Sequence, residues 1–320
     1  MQLKLSVPSK TFLFGEYLAL RGGLCATVQT EPRFELELRD GGEGRCGGIH
    51  PHSLAGHCVR ENSGEFGQWD MEFRDPHQGQ GGFGASSAQF VLTYMAAQVL
   101  RHKVKDLRSL IHADKLWSEF RQLAQREQKG LPPSGADVVG QLVGGVSRFS
   151  FQPFQVRSQN WPFPHLNFML LRTGKKLATH SHLEALEGRT FQGLLEPVNR
   201  ASEALKTGSE ELFLSALQAV ARALEKEQLV AEHSLELLGE LRQRPEILVS
   251  KGCGALGADT LLALYRPQDQ EAVEVIVEAL GLETVASREQ VSSGLKINLD
   301  WQGEREERMN LAPEMFSPKL

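Results

Sequence analysis

Residues 79–88 read Gly-Gln-Gly-Gly-Phe-Gly-Ala-Ser-Ser-Ala, and they run straight into the apolar stretch 88–100. Glycines at 79, 81, 82 and 84 let backbone N–H groups approach an anion without Cβ interference. A helix behind the turn offers unpaired N–H groups and the positive end of its dipole. Together these make a phosphate cradle. Ser86 and Ser87, at the helix start, can cap it, touch a phosphate oxygen or ligate Mg²⁺. No lysine precedes the serines, so this is not a Gly-x-x-x-x-Gly-Lys-Ser/Thr loop, and residues 72–78 do not read as the buried parallel strand that a dinucleotide fingerprint requires. On this segment alone, a plain glycine turn with Ser86 as helix cap stays open.

Composition sets the frame around that loop. The chain has 320 residues, 41% hydrophobic and 23% charged, enough for a sizeable core in one large or two ordinary domains. A net charge of −5 gives no electrostatic case for nucleic acid or an anionic membrane. Residues 1–7 lack the apolar core of a signal peptide. No apolar run reaches the ~18–20 residues of a membrane span. Four cysteines are not a disulfide framework. These features predict a cytoplasmic protein without nucleic-acid or membrane partners.

Alternation predicts strands at 3–7, 11–14 and 34–39, and residues 40–66 read as glycine-rich and irregular. Helical periodicity covers 86–100, 107–128 and 136–143, with Gly144-Gly145 as a stop. Phe, Pro, Gln and Asn cluster without period at 150–165, and the domain boundary is placed there, giving 1–155 and 156–320. Beyond it, 191–205, 210–225, 230–242 and 271–280 read as helices, and 166–172, 247–251, 260–265 and 295–299 as strands. Helices and strands without regular βαβ alternation predict two α+β halves.

Other segments carry chemistry-bearing residues. Lys10 lies between two extended pieces and can aim an ammonium at a phosphate; Gly15-Glu16-Tyr17 is a sharp turn with a carboxylate and a phenol. Pro133-Ser134-Gly135-Ala136-Asp137 sets an acid just past a Pro/Gly corner on an apolar stretch, where it either caps the helix or handles a proton. Lys251-Gly-Cys-Gly-Ala-Leu-Gly-Ala-Asp259 is a second glycine loop, able to close over a ligand or lie against the first. Cys46, His50, His52, His57 and Cys58 cluster, but at no standard zinc spacing, and His180 and His182 read as solvated.

Taken together, these segments resemble the GHMP kinases, the family of galactokinase, homoserine kinase, mevalonate kinase and phosphomevalonate kinase. Residues 8–17 are similar to the family's N-terminal motif, 81–88 to its phosphate loop, 133–137 to the segment holding its catalytic aspartate, and 251–259 to its C-terminal glycine motif. The resemblance implies an α+β, two-domain fold with an interdomain active site, a ferredoxin-like C-terminal domain, and an enzyme that transfers a phosphoryl group from ATP. It places ATP phosphates on Gly81, Gly82, Phe83, Gly84, Ala85, Ser86 and Ser87, and Mg²⁺ on Ser87. Asp137 matches the presumed base, and Lys10 the lysine that positions or activates the acceptor hydroxyl. Glu127 is the nearest match to a glutamate that ligates Mg²⁺ in mevalonate kinases, at a slightly different spacing. The resemblance also implies a monomer or homodimer whose partners are ATP and a small-molecule acceptor.

Finer likenesses lean toward the mevalonate pathway. Gly15-Glu16-Tyr17 resembles phosphomevalonate kinases more than the Gly-Glu-His of mevalonate kinases; Asp137-Val138, Asp259 and the segment 173–179 point the same way. The implied acceptor contacts are Glu16, Tyr17, Ser134, Gly135, Lys175, Thr179, Gly254 and Ala255. Lys175 and Lys176 either neutralise the acceptor's phosphate or are simply solvated. Leu256 stands where glycine is usual and Phe83 where leucine is common. Phosphomevalonate is the expected acceptor; mevalonate, then homoserine or a sugar, are the alternatives, and a non-catalytic nucleotide-binding homologue is the competing class.

Overall fold

A computed structural model describes residues 1–102, 107–127, 132–175, 186, 188–257, 259–300 and 307–316. Its frame is β1 (Gln2–Phe14), followed by the short α1 (Glu16–Ala19) and β2 (Cys25–Asp40). The extended pieces expected at 3–7 and 11–14 are one strand. Pro8 sits where the register to β2 shifts, so its missing N–H breaks no continuous ladder. A crossover of β3 (Cys46–Gly47), α2 (Leu54–Glu61), α3 (Ser63–Phe66) and β4 (Trp69–Arg74) follows. Residues 40–66 are therefore not irregular throughout. Ser53 caps α2 by accepting from the Gly56 N–H at 3.1 Å, and Leu54, Ala55 and Cys58 bury one side.

The helix behind the glycine loop is α4 (Ala85–His102), followed by α5 (Ala113–Glu127) and α6 (Ala136–Val143). The hairpin of β5 (Val146–Phe151) and β6 (Phe154–Gln159) then pairs onto β2. Helices α4 and α6 lie against β1 and β2, with α2 and α5 behind them. Leu5, Leu36, Phe90, Leu92, Phe120 and Val139 meet in this first core.

The second half carries β7 (Asn167–Arg172), α7 (Leu195–Thr207), α8 (Glu210–Lys226), α9 (Glu232–Arg242), β8 (Ile247–Cys253), β9 (Thr260–Tyr265), α10 (Gln270–Ala279) and β10 (Glu283–Ser287). Its four strands form an antiparallel sheet in the order β10-β7-β9-β8. Alternate residues face opposite sides, as strand pleating requires. Phe168, Leu170 and Leu262 join a core with α7 and α8, while Met169, Leu171 and Leu261 join one with α9 and α10. The far ends of β1 and β2, through Leu13, Phe14, Ala26 and Val28, enter the first of these cores, which packs the halves together. Finally β11 (Lys296–Asp300) and β12 (Glu307–Asn310) return to the first sheet, β11 pairing with β1. No helix among the described residues is long and apolar enough to cross a membrane.

Candidate functional site

The loop before α4 is held open by its glycines. Gly84 has φ +89°, and a Cβ there would lie 2.9 Å from Lys10 Cγ, 3.0 Å from Gln141 Nε2 and 3.1 Å from Ser87 Oγ. Three polar side chains thus converge on one glycine. Gly82, at φ +92°, backs onto Thr260 of the second sheet, whose Oγ1 would be 2.5 Å from an added Cβ. The first glycine loop therefore lies against the end of the second glycine motif. The Lys10 N–H donates to Phe83 O at 3.0 Å, lacing the loop to β1. The first helical bond of α4 runs from the Ala88 N–H to Gly84 O at 2.9 Å, so the N–H groups of residues 85–87 are unused within the helix. Ser87 is buried and its hydroxyl donates to the same carbonyl at 2.9 Å, while Ser86 is exposed.

Asp137 is the second residue of α6. The turn before it is pinned by α5: Trp117 Nε1 donates to Ser134 O at 2.9 Å, and the Trp117 ring lies over Gly135, which has φ +77°. Ser134 Oγ accepts from the Ala136 N–H at 3.2 Å. No side chain caps α6 at Gly135, so Asp137 is not the helix cap. Asp137 is half-buried, with no hydrogen bond or ion pair among the described residues. One turn later Gln141 donates to Pro8 O at 3.0 Å and Gly84 O at 3.1 Å. Residues four apart share a helix face, so Asp137 lies on the face of α6 that meets the glycine loop.

Lys10 is 8% exposed and pairs with no carboxylate among the described residues; its Nζ lies 4.8 Å from the centre of the Phe12 ring. A buried ammonium without a counter-ion among the described residues, beside unused amides, is suited to hold an anion. Glu16 is occupied differently. Its Oε1 pairs with Lys251 Nζ at 3.2 Å, both groups buried, and Lys251 Nζ lies 3.5 Å from Cys253 Sγ. Burial works to lower the Lys251 ammonium, but Cys253 and Glu16 outweigh it and hold it above the ordinary lysine range. Burial pushes the Cys25 thiol up, and the carboxylates of Glu16 and Asp137 push it further. Burial likewise raises the Cys253 thiol; Lys251 and Lys10 oppose it. Lys10, Glu16, Lys251 and Asp137 therefore share one electrostatic neighbourhood. Tyr17 turns away to the second glycine motif, where its hydroxyl accepts from the Leu256 N–H at 2.9 Å; burial raises its phenol well above the usual range. Leu256 itself has φ +53°, the left-handed conformation a glycine adopts without strain.

Phe83 is buried, stacked on His77 with ring centres 4.5 Å apart. The Ser9 hydroxyl donates to Pro32 O at 2.7 Å, so in its 2.7 Å contact with His77 it accepts from Nε2–H. Nδ1 then accepts from Arg172 Nη2 at 3.2 Å. A proton added to Nδ1 would face an arginine N–H. Burial lowers the imidazole pKa first and Arg172 adds to it, against Asp75 and Glu283. With a native pKa below the unfolded one, the unfolded chain binds more protons in that window, and stability falls as pH drops below about 6.5. Urea midpoints at about pH 7 and about pH 5.5 should show a larger loss for wild type than for His77→Phe, which keeps the stack but has no proton to gain. Equal losses would remove His77 from this role.

Among the remaining candidates, Gly81 lies in the loop and Ala85 opens α4. Gly254, at φ +81°, faces open space, and Ala255 begins a short 3₁₀ turn. Lys175 is exposed just beyond Thr173, whose N–H donates to Asp259 O at 3.1 Å. Lys176, Thr179, His180 and His182 lie outside the described residues. Glu127 ends α5, with Oε2 3.1 Å from His57 Nδ1, and no described contact joins it to Ser87. No group of three or more His, Cys, Asp or Glu among the described residues can hold a metal. A Mg²⁺ shared with phosphates needs only one or two protein oxygens, and the Ser87 hydroxyl, with lone pairs to spare, fits that demand. The sequence reading missed Gln141, His77 and the Glu16–Lys251 pair. Only Gln141 carried a signal, its spacing of four from Asp137.

No family model and no curated protein match the chain. Solved structures do. Streptococcus pneumoniae phosphomevalonate kinase aligns with a TM-score of 0.71 at 18% identity over 90% of this chain and 99% of its own. That protein has also been solved in complex with phosphomevalonate and AMPPNP. Methanococcus jannaschii mevalonate kinase aligns at 0.68 and 12% over 89% and 97% of the two chains. Lactococcus lactis galactokinase, complexed with galactose, aligns at 0.68 and 11% over 92% and 94%. The chain has the two-domain α+β fold of the GHMP kinases that its motifs led us to expect.

Proposed function

We propose that this protein is an ATP-dependent small-molecule kinase. The observation that carries the reading is the convergence on Gly84: unused helix amides, the Ser87 hydroxyl and a Lys10 ammonium unpaired among the described residues face the side of α6 that carries Asp137. Cationic and amide donors around a half-buried free acid suit transfer of a phosphoryl group to an acceptor oxygen. In that reaction a bond forms between the acceptor oxygen and the γ-phosphorus while the bond to the β,γ-bridging oxygen breaks, and ADP leaves. The amides at the start of α4 hold the phosphates. Lys10 offsets charge on the moving group. Asp137 orients the acceptor oxygen and takes any proton it carries. Ser87 would be the protein ligand of a Mg²⁺, which would supply further charge neutralisation when bound, and Glu127 would join it only by giving up His57.

For the acceptor, the reading favours phosphomevalonate, on the strength of Gly15-Glu16-Tyr17, Asp137-Val138, Asp259 and the sequence of segment 173–179. ATP consumption with mevalonate, phosphomevalonate, homoserine and galactose tests this directly. Turnover should be highest with phosphomevalonate. Turnover with another member of the panel moves the assignment to that acceptor; nucleotide binding without turnover on any of them favours a non-catalytic homologue.

A further inference from the structure

Gln141 is the single polar side chain in the run 138–143 of α6, and it is fully buried. An amide in such a place costs free energy unless its hydrogen bonds are made, and a methionine would fill much the same volume without that cost. What the amide supplies is its two N–H donors. Nε2 donates to Pro8 O on β1 at 3.0 Å and to Gly84 O, just before α4, at 3.1 Å. Two carbonyls on one nitrogen settle which end of the amide is which. Its Oε1 has no hydrogen-bond partner among the described residues. The glycine loop is thus held to β1 twice, directly by the Lys10 N–H on Phe83 O at 3.0 Å and again through Gln141. A single bond leaves the loop free to pivot. The second fixes its angle and brings α6 into the same joint. Pro8 and Lys10, two apart on a strand, share a face. Asp137 stands one turn, about 6 Å, before Gln141 along α6.

Gly84 O has one donor more than it needs. It accepts from the Ala88 N–H at 2.9 Å, the Ser87 hydroxyl at 2.9 Å and Gln141 Nε2 at 3.1 Å, but a carbonyl oxygen has two lone pairs. The helix fixes the Ala88 N–H, and Pro8 O holds the Gln141 amide. Only the Ser87 hydroxyl can rotate away, and the carbonyl then stays fully bonded. We infer that Gln141 is a positioning residue with two effects. It locks Asp137 in register with Lys10 and the glycine loop, and it releases the Ser87 hydroxyl to donate to a phosphate oxygen. The inference rests on the kinase reading for the reaction, but the release of Ser87 can be read without turnover.

Gln141→Met removes the donors and keeps the volume, and Gln141→Asn keeps the amide but draws it back by one methylene. Both leave Gly84 O its bonds from Ala88 and Ser87, so the loop is not stranded. At saturating ATP and acceptor, each should lower kcat about tenfold or more, the scale of a reacting group out of place, with KM for the acceptor within about twofold of wild type. In an Asp137→Asn background Gln141→Met should lower kcat no further, because no base is left to place. Inorganic tripolyphosphate, titrated calorimetrically into protein in EDTA without nucleotide, reads the release. Gln141→Met should weaken its binding about fivefold, the scale of one neutral hydrogen bond, and should change nothing once Ser87 is alanine. Equal fractional losses of kcat with and without Asp137 overturn the lock. Equal losses of tripolyphosphate binding with and without Ser87 overturn the release. Wild-type kcat and binding in both Gln141 variants overturn the whole inference. Tripolyphosphate binding that depends on Gln141 and Ser87 as a pair, with no turnover on any acceptor, counts against the kinase reading and supports the release.

Discussion

Replacing Asp137 by Asn should lower kcat at least about 100-fold while ATP binding stays within about twofold of wild type, the usual pattern when a general base is lost and the ground-state contacts remain. Asn keeps the size of the side chain, and Asp137 has no described hydrogen bond or ion pair to break, so the fold should not move. The groups proposed to hold the phosphates sit on other elements, with Lys10 on β1 and the free amides and Ser87 on α4. Nucleotide binding is therefore separable from proton transfer. The measurements are steady-state turnover with saturating acceptor and a direct nucleotide titration. Turnover within tenfold of wild type would take Asp137 out of the mechanism. Loss of nucleotide binding instead would mean that Asp137 supports the phosphate loop through Gln141, its partner one turn along α6.

What could be read from the chain divides by sequence distance. Helix 136–143 and strand 260–265 have the ends their residues predict, because glycines punctuate the first and a run of buried apolar residues fills the second. The Gly84 convergence is half legible. The glycines, Ser87 and Asp137 announce themselves by type and spacing, whereas Gln141 is marked only by its spacing of four from Asp137, and its bond to Gly84 spans 57 residues. Helix 54–61 is hidden by its own composition: Gly56 is required because a Cβ there would meet His50 O at 2.4 Å, and a glycine amid histidines reads as loop. Strand 154–159 is hidden because it is an edge strand with exposed Gln155 and Arg157, paired only with β5. The bracing of Phe83 by His77, Ser9 and Arg172 joins positions separated by 68 and 95 residues, which no periodicity encodes.

The largest effect on stability should come from Lys251. Its ammonium is fully buried on β8 and reaches across to Glu16 at the start of α1, just past β1, so the pair ties the second sheet to the first half. Lys251→Met removes the cation and strands a carboxylate whose Oε2 already has no hydrogen-bond partner among the described residues. Breaking a buried pair in this way costs about 3–5 kcal/mol, because one charge stays buried without compensation. Removing both charges costs far less: Glu16→Gln with Lys251→Met should recover at least about half of the loss, since the amide is neutral and the methionine fills the lysine stem's volume. Urea denaturation of the wild type, both single variants and the double variant closes the cycle, and the coupling should be about 1–3 kcal/mol. Additive losses would mean that Lys251 stabilises the protein through its packed stem alone, and that Glu16 is held by its own turn rather than by the lysine across from it.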